Sequence, residues 1–292
     1  MLKIKSPLSV PKAKKKEYEQ NYKSLTNNSG RMLLIAGDQK VEHLNSDFFG
    51  PGISQEDASP KHLFDIAQAS AGGVLATHLG FIARYGANYP KVPYIVKMNG
   101  KTNLGINNEK DSSALWWSVA DIVKFKKDSG LKIAGLGYTV YLGGKYEAEM
   151  LKEAAKMTYE AHQAGLLSII WMYPRGAKVN EDDIHTIAGG AGVAAALNAD
   201  FVKIKYPFKL KDKKKAAQAF KEAVLAAGET KIICVGGNKR PEEEVLEFLK
   251  LQIEISGSSG LAIGRNLHQR SLKEATEMIK KMAKIIFKNI NS

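Results

Sequence analysis

The sequence predicts an α/β protein of the (β/α)8 barrel class, one domain over residues 1–292 with residues 1–28 as an N-terminal extension. Three observations predict it. Short apolar runs lie at 32–36, 73–77, 94–98, 133–136, 166–172, 201–204, 232–235 and 261–263. They are bounded by Gly, Asp or Asn, as strands buried on both faces usually are. Helically patterned stretches alternate with them, and eight such units over about 260 residues match the barrel. An open doubly wound sheet would show fewer strands and a glycine-rich turn after the first. Here Asp38-Gln39-Lys40 follows the first strand instead.

The elements are justified in order. The basic extension before the first strand predicts a helix over the barrel bottom. An irregular Gly/Pro stretch, 49–53, lengthens the first connection. A helix over 59–70 begins with Ser59 as cap and Pro60 at the first helical position, where its missing N–H costs nothing. Helical patterning recurs over 113–127, 147–164, 181–197, 213–227, 241–255 and 267–287. Gly130, Gly165, Gly228 and Gly257 stand near the ends of several of these, as helix stops.

Composition narrows the class of partner. Hydrophobic residues at 44% and charged residues at 25% exclude low-complexity chains. The net charge of +13 favours an anionic partner. Nine of those thirteen charges fall in residues 1–24 and 209–215. These runs lack interleaved aromatics, so they read as solvated faces rather than a nucleic-acid surface. An anionic-surface or nucleic-acid binding barrel is the alternative of another class. The lone Cys234 excludes an intrachain disulfide and predicts a reducing, cytoplasmic setting. No apolar run is long enough to span a membrane, and the N-terminus lacks a signal-peptide core. No nucleic-acid or membrane partner is expected.

Barrel active sites lie where the strands end. Polar residues gather there: Asp38, Glu42 and His43 after the first strand, Thr77 and His78 after the second, Lys97 and Asn99 on the third. In Phe201-Val202-Lys203-Ile204-Lys205, alternation sends both lysines inward, while Val202 and Ile204 pack outward on helices. A desolvated lysine with a second cation beside it loses its proton readily and becomes a nucleophile toward carbonyls. The bland alternative makes both lysines rim residues paired with carboxylates. Alternation alone does not choose between Lys203 and Lys205.

Two further groups follow. Gly236, Gly237 and Lys239 after the seventh strand, and Gly264 and Arg265 after the eighth, fall on the loops where barrels often hold phosphate. Trp171, Tyr173 and Arg175 leave the fifth strand, and a tyrosine at the mouth can relay a proton. Six histidines show no i, i+2 or i, i+4 pairing, so no metal site is expected, although His43 and His78 could meet at the mouth.

Taken together the segments resemble one family. Asp38-Gln39-Lys40-Val41-Glu42-His43, Trp171-Met172-Tyr173-Pro174-Arg175-Gly176, Asp200-Phe201-Val202-Lys203-Ile204-Lys205, Val235-Gly236-Gly237 and Gly264-Arg265-Asn266 are similar to motifs of the archaeal-type class I fructose-bisphosphate aldolases, the DhnA/DeoC group. The matches run in family order from about residue 31 to residue 270. Lys40 replaces the family's glycine, and Leu44-Asn45 its Gly-Pro, which touches the aldehyde side of the site. The resemblance implies a cofactor-free, metal-free aldolase on a sugar phosphate, commonly a homo-oligomer. It implies Lys203 as Schiff-base nucleophile, Tyr173 as general acid/base and Asp38 on the substrate hydroxyl. Lys97, Trp171, Arg175, Lys205 and His43 would meet the substrate, and Gly236, Gly237, Lys239, Gly264 and Arg265 its phosphate. A related lysine-dependent aldolase or transaldolase, of hept-ulosonate or acyl-sugar-phosphate type, is the nearest alternative.

Overall fold

The computed structural model describes residues 2–104, 112–176, 178–207 and 212–287. Eight parallel strands close into a barrel: β1 Met32–Ala36, β2 Val74–His78, β3 Tyr94–Lys97, β4 Ile133–Leu142, β5 Leu167–Pro174, β6 Phe201–Ile204, β7 Lys231–Val235 and β8 Gly260–Ile263. Each pairs with its sequence neighbours, and β8 closes on β1 through Met32 opposite Gly260. All eight predicted strands are present, and β4 and β5 run further toward the mouth than their apolar runs.

Period-two alternation divides each strand between two cores. Met32, Leu34, Val74, Ile95, Ile169, Trp171, Phe201 and Ile233 pack inside the barrel. Leu33, Ile35, Leu75, Val96, Val202, Ile204 and Cys234 pack outward against helices. Lys203 continues the inward row of Phe201, so the same alternation that fills the barrel sets a cation above it.

The bottom is sealed by the helix Lys15–Leu25, whose buried Tyr18 and Leu25 join the inner core. Tyr18 donates to the Asp200 carboxylate just before β6. Asp200 also accepts from the Ser168 backbone at 2.8 Å and sits 3.0 Å from His162 Nε2. This buried network ties the extension to the end opposite the mouth.

Several helix boundaries differ from the patterning. The predicted 113–127 helix begins only at Val119, because Ala114–Leu115 pairs antiparallel with Asn99–Gly100. Ser118 and Asp121 then form a capping box. The 181–197 helix begins at Ile184, with Asp183 capping Thr186 N. The 213–227 stretch breaks into Lys213–Ala219 and Lys221–Ala227. The last helix divides into Arg265–His268 and Leu272–Phe287, because Ser271 and Glu274 cap each other. The helix Leu79–Tyr85 after β2 was too short to show a period. The apolar face of Leu272–Phe287 packs on its own barrel through Ala275, Met278, Ile279 and Met282.

Candidate active site

A cavity of about 470 Å3 opens at the C-terminal ends of the strands. Asp38, Gln39, Glu42 and His43 line it from β1, Tyr173 and Arg175 from β5, and Lys203 and Lys205 from β6. Gly236, Gly237, Asn238 and Arg240 close it from β7, Gly264 and Arg265 from β8, and Glu181 and Asp182 from the loop after β5. Three turns of chain far apart in sequence thus bring an acid, a phenol and an amine together.

Lys203 is buried, and its Nζ lies 5.1 Å from the Trp171 ring centroid. Trp171 is its register partner on β5. The indole fills the barrel centre against Gly137, where a Cβ would come within 2.2 Å of it. Burial works against the Lys203 charge, but Tyr173, Asp38 and Glu42 outweigh it and hold the ammonium above the ordinary lysine range. The sequence reading expected a lowered value from a neighbouring lysine. The structure reverses this, because Tyr173, Asp38 and Glu42 together outweigh burial at Lys203.

Asp38 is fully inside, and its Oδ1 accepts no hydrogen bond. Burial would raise its carboxyl, yet Lys203, Lys97 and His78 outweigh that and hold it below the ordinary range. Tyr173 stacks on Tyr141 at 6.0 Å, and Arg175 lies 4.4 Å from the Tyr173 ring centroid. Desolvation pushes the Tyr173 phenol up, and Lys203 pulls against it. The site therefore holds an ionised acid, a neutral phenol and a charged amine.

The two inward lysines separate. Lys205 is a rim residue, 2.7 Å from Asp182 and 3.2 Å from Glu181. For Lys205 alone the bland reading is the right one, and Lys205 does not act as the cation depressing Lys203. Lys97 is the cation on the inner side. It lies beneath the cavity, donating at 2.7 Å to both the Asn99 backbone oxygen and Oδ1. Burial lowers its pKa, with Lys203 adding to the effect and Glu42 and Asp38 opposing it.

At the opposite wall, Arg265 Nε is buried without a hydrogen bond and lies 3.8 Å from Asp47 Oδ2. The same carboxylate oxygen is 2.5 Å from His43 Nδ1. Lys239 does not line the cavity. Its ammonium is spent on the backbone oxygens of Gly52 at 2.7 Å and Gln269 at 3.0 Å. Arg240 reaches the cavity wall instead, with its guanidinium 2.9 Å from Glu244 Oε1. The Gly236 N–H is likewise committed, to Ala262 O at 2.8 Å within the barrel ladder. At Gly264 a Cβ would sit 2.1 Å from Gln39 Oε1, so the Gln39 amide would have to swing aside.

Arg240, Glu181 and Asp182 on the cavity wall were not singled out as site residues from sequence, and neither were Glu42, Asp47 and Asn266. Glu42 stands among Lys97, Lys203 and Tyr173 and was visible only as a neighbour of Asp38. Asp47 offered no signal in the sequence. Asn266 is fully buried and donates to Gly236 O at 3.0 Å and Asn238 O at 2.9 Å, while its Oδ1 accepts from Arg240 N. It shapes the predicted phosphate loop without entering the cavity. His43 and His78 do not meet as a pair, since His43 sits on Asp47 and His78 stacks on Trp116 at 4.8 Å. Among the described residues no three His, Cys, Asp or Glu side chains converge to hold a metal ion.

A closed parallel barrel whose mouth holds a buried lysine between an acid and a tyrosine defines the lysine-type carbon–carbon lyases of barrel fold. The family model for DeoC/LacD family aldolases matches residues 32–270, and the chain belongs to that family. It is 52% identical over 276 residues to the fructose-bisphosphate aldolase/6-deoxy-5-ketofructose 1-phosphate synthase of Methanocaldococcus jannaschii, covering 94% of this chain and 87% of that protein. A fructose-bisphosphate aldolase from Slackia heliotrinireducens superimposes with a TM-score of 0.93 at 44% identity, over 99% of this chain and 91% of that one. An archaeal fructose-1,6-bisphosphate aldolase, solved with its catalytic lysine bound covalently to the carbinolamine intermediate, gives 0.78 at 28% identity, over 92% and 99%.

Proposed function

We propose that this chain is a class I fructose-bisphosphate aldolase, cleaving fructose 1,6-bisphosphate reversibly to dihydroxyacetone phosphate and glyceraldehyde 3-phosphate. The observation that carries this is Lys203, buried beside Asp38 and Tyr173 in a cavity walled with cations. The covalent carbinolamine of the archaeal structure supports the same chemistry.

The Lys203 amine, once it has given up its proton, adds to the C2 carbonyl of the sugar. Loss of water leaves an iminium. Asp38 takes the proton of the C4 hydroxyl, a role that its buried, unpartnered Oδ1 supports. The C3–C4 bond then breaks, its electron pair passes into the iminium, and glyceraldehyde 3-phosphate departs. Tyr173 protonates the resulting enamine at C3, the proton taken by Asp38 restores the tyrosine, and water adds to the iminium to free dihydroxyacetone phosphate and Lys203. Lys97 and Trp171 form the floor. Gly237, Gly264, Arg265 and Arg240 hold the phosphate next to C2, and Arg175 with Lys205 faces the far phosphate. The chemistry is carried by the lysine imine, with no cofactor assigned.

Another sugar phosphate is the second reading, favoured by the second name of the M. jannaschii relative. Comparing fructose 1,6-bisphosphate cleavage with other ketose phosphates separates the two. A reducing, cytoplasmic setting suits Cys234, which is buried and unpaired. Assembly into copies is supported by the exposed Leu115, Trp116, Trp117 and Val123. No described helix is long and apolar enough to cross a membrane. Of the basic runs, Lys14 pairs with Glu17 and Lys213 with Glu247, while residues 209–211 lie outside the described residues.

The test is a borohydride trap with dihydroxyacetone phosphate. Mass spectrometry is expected to place the reduced adduct on Lys203. An adduct on Lys205, or none, overturns the assignment.

A further inference from the structure

Arg175 and Lys205 leave neighbouring strand ends and both line the cavity. One carboxylate spans them: Glu181 Oε1 lies 3.2 Å from Lys205 Nζ, and Glu181 Oε2 lies 3.5 Å from Arg175 Nε. Glu181 therefore occupies the space between two cations that a phosphate dianion would bridge. It also stands at a junction. A second cavity of about 640 Å3, lined also by Lys101 and Tyr141, shares Glu42, His43, Arg175 and Glu181 with the first.

The neighbouring acid is placed differently. Asp182 is closer to Lys205, at 2.7 Å, and its side chain is 15% exposed against 42% for Glu181. Asp183 caps the following helix at Thr186 N, so the helix start does not depend on Glu181. Glu181 can thus swing away without cost to the helix, while Asp182 keeps Lys205 in place. A phosphate and Glu181 cannot share this position, because two anions on the same pair of cations repel.

Resting on the aldolase reading above, we infer that Glu181 is an internal stand-in for the far phosphate of the substrate and sets the preference between bisphosphate and monophosphate sugars. With a bisphosphate, the far phosphate displaces Glu181. With a monophosphate, Glu181 stays and keeps Arg175 and Lys205 neutralised, so the site still closes. The device gives up some bisphosphate affinity and permits substrates whose far end carries no charge.

The test measures binding, so that it does not depend on turnover. Hexitol 1,6-bisphosphate and hexitol 1-phosphate, which lack the carbonyl, are titrated by calorimetry into the wild-type protein and Glu181→Gln. Removing a half-exposed competitor of this kind is expected to tighten the bisphosphate about two- to fivefold. The monophosphate is expected to bind no tighter. Equal change for both ligands, weaker bisphosphate binding, or no bisphosphate binding overturns the inference. Trapping of dihydroxyacetone phosphate on the wild-type protein reports separately on Lys203, so a failure of the aldolase reading is told apart from a failure of this one.

Discussion

The Lys203 ammonium stands 5.1 Å from the indole centroid of Trp171, its partner across the β5–β6 ladder. Lys97 reaches the same ring at 5.8 Å. The indole is thus a shared apolar floor for two lysines. A ring face attracts each cation, a contribution of roughly 1 kcal/mol where the pair is desolvated. It also blocks Lys203 from sinking into the barrel, which leaves its Nζ at the cavity floor near Asp38 and Tyr173. Gly137 makes room for this ring, so the position of the Lys203 ammonium is set partly by a residue with no side chain.

The proton donor is tested by Tyr173→Phe. The variant keeps the stack on Tyr141, 6.0 Å away, and removes only the hydroxyl. Turnover is expected to fall by about 10² to 10⁴. The borohydride adduct with dihydroxyacetone phosphate is expected to form still. Wild-type turnover in this variant would assign the proton step elsewhere.

Asp38 is read through pH. Its charge helps hold Lys203 above the ordinary lysine range, so the neutral amine becomes more abundant as pH rises. Asp38→Asn removes one of the holding charges and lowers the Lys203 value. The pH profile of adduct formation is therefore expected to shift toward lower pH, while cleavage slows for want of a base at the hydroxyl. A profile that stays in place or moves to higher pH contradicts this electrostatic pairing.

His78 gives the fold an acid sensitivity. Burial, with Lys97 beside it, lowers its pKa to about 4, and neither ring nitrogen has a hydrogen-bond partner. The unfolded chain titrates near 6.5. Between those values the unfolded state binds a proton that the folded site refuses, so stability falls as pH drops from about 6.5 to 4. The full effect is about 3 kcal/mol. His78→Phe keeps the ring against Trp116 and is expected to remove this share. Urea midpoints of both proteins at pH 7 and pH 4.5 check it, and equal pH losses would refute it.

Asn266 acts on the phosphate loop from behind. Asn266→Ala leaves the Arg240 N–H and the Gly236 and Asn238 carbonyls without their partner. A stability loss of about 3 kcal/mol is expected from such buried unmet groups. The loop then places Gly237 and Arg240 less well, and KM for the sugar bisphosphate is expected to rise about tenfold with little change in kcat, as for one lost charge-assisted hydrogen bond. Steady-state kinetics distinguish this from a loss confined to kcat.

Much of this protein was legible in its sequence. Periodicity is local, and period two fixes which strand residues share a face, so the eight strands, the pairing of Lys203 with Lys205 and that of Trp171 with Tyr173 could be read directly. What alternation cannot carry is distance along the barrel axis and the identity of neighbours from other strands. Lys203 and Lys205 look alike by period, yet one is buried among Asp38, Glu42 and Tyr173 and the other is clamped by Asp182 and Glu181. Lys239 follows a Gly-Gly pair as a phosphate ligand should, yet the carbonyls of Gly52 and Gln269 hold it elsewhere. Glu42, Asp47 and Asn266 gain meaning only from partners that barrel closure brings close. The sign of the Lys203 shift belongs to the same class: it is a sum of burial and charges at short range, and only the folded barrel sets those distances.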